Sequence, residues 1–101
     1  MPYIKPERRE TLDPIIDDLY NEVKTKGEVN YCITRLVHLW VLELIKNRSG
    51  KCYHVLSEGH SVLEDAAKEY YSAVMVWYEN KKRLANGPVS ELDDDSYRRM
   101  R

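Results

Sequence analysis

The sixteen residues "NYCITRLVHLWVLELI", positions 30–45, are apolar after Asn30 except at Thr34, Arg35, His38 and Glu43. A helix that spans a membrane needs about 20 consecutive apolar residues. This run is shorter and charged, so it reads as a central helix of a water-facing fold. Laid out at 100° per residue, Ile33, Val37, Trp40, Val41 and Leu44 share one broad side, with Trp40 at its middle. Arg35, His38, Glu43 and Lys46 take the other side, but Leu39 and Leu42 lie among them. The outer face is therefore only half suited to solvent.

The flanking sequence supplies two more helices. Asp13-Pro14 reads as a cap followed by a proline at the first helical position, and Ile15, Ile16, Leu19, Tyr20 and Val23 recur as one apolar stripe. Gly27 is the expected stop. This predicts a helix over Asp13–Lys26, a second over Tyr31–Lys46 capped by Asn30, and a third over Cys52–Ala85 closed by Asn86-Gly87-Pro88. Along the third, Tyr53, Leu56, His60, Leu63, Ala67, Tyr70, Val74, Trp77 and Leu84 form a coiled-coil-like seam. Gly59 and the capping-box string "SVLE" (Ser61–Glu64) leave open a break at that point, with the unbroken helix preferred.

The expected architecture is all-α: a small bundle of three main helices, the last one long, completed by dimerisation. Residues 1–88 form the single domain. Residues 1–10, with two prolines and five charged side chains, are expected as an extended arm, and residues 89–101 as a charged tail that is disordered or loosely docked.

Composition limits function. The 101 residues suit one domain, and 33% charged against 43% hydrophobic residues excludes both a disordered and a membrane-embedded chain. A net charge of −1 gives no general attraction to phosphates, so nucleic acid is not an expected partner. "KKR" (81–83) and "RRMR" (98–101) are local exceptions, but Glu79, Glu91 and Asp93 to Asp95 surround them. Eight Tyr, two Trp and no Phe favour half-buried contact surfaces over a dry interior. Met1–Glu10 has no apolar signal core, and two cysteines, Cys32 and Cys52, match free thiols in a reducing cytoplasm.

"MPYIKPERRE", "LDPIIDDL", "GEVNYCITRLV" and "VLEDAAKEYY…YENKKRLANGPV" together resemble a family of small uncharacterised proteins from bacteria, archaea and phages. The resemblance implies an all-helical fold with no activity and no functional residue to carry over.

Few side chains suggest chemistry. His54–Glu58 and His60–Glu64 each stand four apart and are the weak metal candidates. The two pairs are six apart, however, which turns them to opposite sides of one helix, and helical ion pairing is the expected role. Asp18–Glu22, Asp65–Glu69 and the ends of "ERRE" (7–10) have the spacing of magnesium-binding carboxylates, yet they read as solvated faces. No glycine-rich phosphate loop is present, so no cofactor is expected.

The reading is thus a self-associating interaction module and not an enzyme. It is expected to be a cytoplasmic homodimer open to a protein partner, without membrane contact. A metal-assisted enzyme or regulator of nucleotides or nucleic acid is the alternative. Leu39, Leu42, Val62, Met75 and Val76 lie off the core faces, Tyr70 and Trp77 lie on the half of the third helix expected to project uncovered, and these seven are the expected interface.

Overall fold

A computed structural model describes residues 2–47 and 53–94, and among them every regular element is helical. The elements are α1 (Pro6–Glu22), α2 (Lys26–Asn47), α3 (Tyr53–Tyr70), a π-helical turn (Tyr71–Met75), α4 (Val76–Asn86) and a 3-10 turn (Glu91–Asp93). The all-α expectation holds. The chain divides into two compact units, Met1–Ala66 and Ala67–Arg101.

In the first unit both early helices begin sooner than the sequence suggested. α1 starts at Pro6, inside the expected arm, because a proline near the helix start loses no bond that the helix would have made. Pro14 is then an interior proline and not the first residue. Residues ahead of the helix are tied down by the Arg9 side chain, whose Nε donates to the Ile4 carbonyl at 3.0 Å. α1 ends at Glu22, where the Val23 N–H bonds to the Leu19 carbonyl at 3.1 Å.

α2 starts at Lys26, ahead of the expected cap Asn30. The reason is a reciprocal cap at Thr25-Lys26-Gly27-Glu28: the Glu28 N–H donates to Thr25 Oγ1 at 3.1 Å, and Glu28 Oε1 accepts from the N–H groups of Thr25 and Lys24 at 3.2 and 2.6 Å. Gly27 therefore lies in the first turn of α2 and stops nothing. Asn30 is interior, its Oδ1 accepting from Thr34 Oγ1 at 3.2 Å.

Helix α3 passes through Gly59 without a break, as the continuous reading expected, and the "SVLE" string caps nothing. Its start was expected at Cys52, which lies outside the described residues. The seam, however, is displaced. The buried residues of α3 are Val55, at 1% exposure, and Gly59, four residues apart and both off the Leu56–His60–Leu63 row. A Cβ placed on Gly59 would lie 3.0 Å from Val41 Cγ2 and 3.1 Å from Val37 Cγ1. The bare glycine lets α3 approach α2 closely there, and that approach bears on which face is covered. Trp40, expected at the centre of the core face of α2, is 42% exposed, because the contact is centred on Val37 and Val41 to one side of it.

In the second unit the helical residues continue through a turn of π-helix. There the Val76 N–H reaches back five residues to the Tyr71 carbonyl. The long third helix thus contains a wide turn that the seam spacing did not announce. Gly87 closes α4 with φ 92°, a left-handed conformation that favours glycine, and its N–H bonds to the Arg83 carbonyl at 2.8 Å.

Val55→Ala should lower stability by about 2 kcal/mol, from the lost methyl groups and the space left behind. Gly59→Leu should cost about 1–3 kcal/mol by wedging α2 and α3 apart. Chemical denaturation followed by helical circular dichroism checks both. A Gly59→Leu protein as stable as the parent would show that the close approach does not hold the unit together.

Candidate interaction surface

The α2–α3 approach at Gly59 leaves a groove beside it in the first unit. Val37, Val41, Leu42 and Ile45 supply one wall, Leu56, Gly59 and Leu63 the other, and His38 and His60 stand among them. Its volume is about 610 Å³. The geometry follows from spacing: His38, Leu42 and Ile45 repeat at four and three residues along α2, and Leu56, His60 and Leu63 do the same along α3. These rows adjoin the buried contact without joining it. Leu42 is 54% exposed, Leu56 45% and Leu63 39%.

The predicted interface residues separate. Leu42 lines the groove; Leu39 is exposed on the same helix outside it. Val62 lines a different hollow of the first unit, with Pro2, Asp65 and Ala66. Tyr70, Met75 and Trp77 are exposed in the second unit, whereas Val76 is half-buried there. Sequence reasoning placed Leu56, His60 and Leu63 in the seam and so missed them as surface. Gly59, one residue from His60, was the signal that a neighbouring row would take the helix contact.

His60 Nδ1 lies 3.6 Å from Glu64 Oε2, an ordinary pairing one turn along a helix whose side chains are solvent-exposed. Ser57 Oγ donates to the His54 carbonyl at 2.9 Å. Among the described residues no three His, Cys, Asp or Glu side chains converge as a metal site would require. Cys32 is a half-buried free thiol.

The second unit has its own polar fabric. Tyr71 Oη donates to Glu79 Oε2 at 2.7 Å, and that bond, with the nearby negative charge, holds the phenol pKa above its usual value. The Lys81 ammonium lies 4.6 Å from the Trp77 ring centre and that of Lys82 5.7 Å from Tyr78, cation–π stacking that occupies the basic-aromatic patch internally. Within the stretch expected as a disordered or loosely docked tail, residues 91–93 form a capped turn. The Asp93 carboxylate accepts from the Ser90 and Val89 N–H groups at 2.9 and 3.0 Å, and Arg83 Nη1 donates to the Asp93 carbonyl at 2.8 Å. Residues 95–101, with "RRMR", lie outside the described residues.

Comparison with known families decides membership, since the Domain of unknown function (DUF6899) matches residues 1–89. The chain belongs to the DUF6899 family. No curated protein and no solved structure matches it significantly. The DUF6899 match covers α1, α2, α3, α4 and the groove, and assigns no activity to any of them. Among the described residues of this DUF6899 chain no helix is long and apolar enough to cross a membrane.

Two outcomes follow. The backbone N–H groups of Ser90 and Val89, in that order, depress the Asp93 pKa. Its carboxylate therefore supports the turn fully above the ordinary aspartate value, and that support is lost as pH falls through the lowered one. Carboxyl NMR should show Asp93 titrating below free aspartate, and Asp93→Ala should release the turn; titration at the ordinary value would contradict the cap. Separately, Zn²⁺, Mn²⁺ and Mg²⁺ should leave the Tm unchanged. A bound ion at a hundred times its Kd would add about 2.7 kcal/mol and raise the Tm visibly.

Proposed function

We propose that this chain is a self-associating helical module, a homodimer whose role is to present a helical surface to itself and to a further protein partner in the cytoplasm. One observation carries the reading: apolar side chains of α1, α2 and α3 remain on the surface of the first unit. Ile15, Ile16 and Leu19 on α1, Leu36, Leu39 and Leu42 on α2, and Leu56, Val62 and Leu63 on α3 are all exposed. Val41 and Val55 are the buried apolar side chains among the described residues. Two valines bury too little to offset the entropy of ordering three helices. Exposed apolar side chains in this number are what an associating surface would need, and a twofold pair is the commonest form of association.

The residues expected at contacts are Leu39, Leu42 and Val62 in the first unit and, separately, Tyr70, Met75, Val76 and Trp77 in the second. Light scattering at micromolar to hundred-micromolar chain concentration should give twice the 12.0 kDa chain mass. A mass of one chain across that range would overturn the reading.

A further inference from the structure

The π-helical turn Tyr71–Met75 and the hydrogen bond from Tyr71 Oη to Glu79 Oε2 are tied together by geometry. On an uninterrupted α-helix, residues eight apart stand about 80° apart around the axis, whereas residues seven apart differ by about 20°. A π turn closes its hydrogen bonds over five residues where an α turn uses four, so it absorbs one extra residue. Across such a turn, residues eight apart align as residues seven apart do elsewhere. Tyr71 and Glu79 are eight apart, and their 2.7 Å bond spans the turn. The bond fits the π register and is misaligned in the α register.

The apolar row of the second unit favours the other register. Ala67, Tyr70, Val74, Trp77 and Leu84 follow one another at three, four, three and seven residues, which makes one stripe on a plain α-helix. The π turn falls inside that row. It rotates Trp77 and Leu84 by one residue step, about 100°, away from the line of Ala67 and Tyr70. Tyr70, Val74, Trp77 and Leu84 are all exposed, so burial of the row does not hold the π register. The sequence thus carries two competing alignments, one set by a polar bond and one by an apolar stripe.

We propose that the π turn is a register switch latched by the Tyr71–Glu79 bond. Releasing the bond lets the helix run on as α and turns α4, so that Trp77 and Leu84 join Ala67, Tyr70 and Val74 in one continuous row. The backbone exchange is small: the Val76 N–H gives up the Tyr71 carbonyl and takes that of Ser72, one residue nearer. α4 is also built to turn as one piece. Lys81 lies 4.6 Å over the Trp77 ring, Lys82 lies 5.7 Å over the Tyr78 ring, and Arg83 Nη1 holds the Asp93 carbonyl at 2.8 Å. These contacts stay on the far side of the π turn and survive in either register. The Tyr71–Glu79 bond crosses it and does not.

The test reads the register directly, from the NMR scalar coupling across the Val76 N–H hydrogen bond, in the full chain and in three variants, with circular dichroism on each. In the parent the Val76 nitrogen should couple to the Tyr71 carbonyl carbon. In Tyr71→Phe and in Glu79→Ala, both at exposed positions, a coupling to the Ser72 carbonyl should grow at its expense, with helicity unchanged. The ratio of the two registers should move roughly 2- to 10-fold toward α, the effect of one net hydrogen bond. Glu79→Gln keeps a neutral acceptor and should fall between the parent and Glu79→Ala. Should one of the first two variants lose helicity, the other decides. A parent coupled to Ser72 alone overturns the π turn itself. A parent coupled to Tyr71 whose register ignores Tyr71→Phe and Glu79→Ala overturns the latch.

Discussion

The contact of Gly59 with Val37 and Val41 organises the first unit, because it decides which side of each helix is covered. Helices usually pack through their largest apolar ridges. Here a residue with no side chain allows the nearest approach, so the ridge that would have been the seam is left beside the contact. Val55, one turn before Gly59, is buried in consequence, while Leu56 and Leu63 line an open groove. Core and candidate surface thus have one cause.

The same cause explains what the sequence could and could not reveal. That the main elements are helical was legible, since three apolar periods come without strand alternation; the π turn at Tyr71–Met75 was not. Helix starts were not, because local polar bonds set them. The Thr25–Glu28 reciprocal cap outcompetes Asn30, and the fit of Pro6 to a helix start carries α1 back into the supposed arm. Both signals were visible in the string, T-x-x-E ahead of the apolar run and a proline followed by charged helix formers, but each competed with an equally plausible signal downstream.

Burial was the least legible quantity. Periodicity identifies a stripe as apolar; it does not say whether that stripe meets its own chain. Trp40 and the Leu56–Leu63 row satisfied every pattern for interior residues, yet they are half-exposed. A pattern of this kind predicts contact with some helix, and the identity of that helix depends on a close approach fixed by one glycine. The interface candidates scattered too: they were chosen as apolar residues without an evident partner, and they fall in two separate units of the chain.

The composition of the groove also bears on how it can be used. A slot lined by leucine alone and open to water would promote unspecific aggregation. Here His38 and His60 interrupt the apolar rows. Each polar group keeps part of the surface hydrated when it is free and restricts the orientations a docking helix can take. Polar residues within a helical seam lower affinity while selecting register and partner. In the self-association proposed above, a groove of this composition would exchange strength for selectivity.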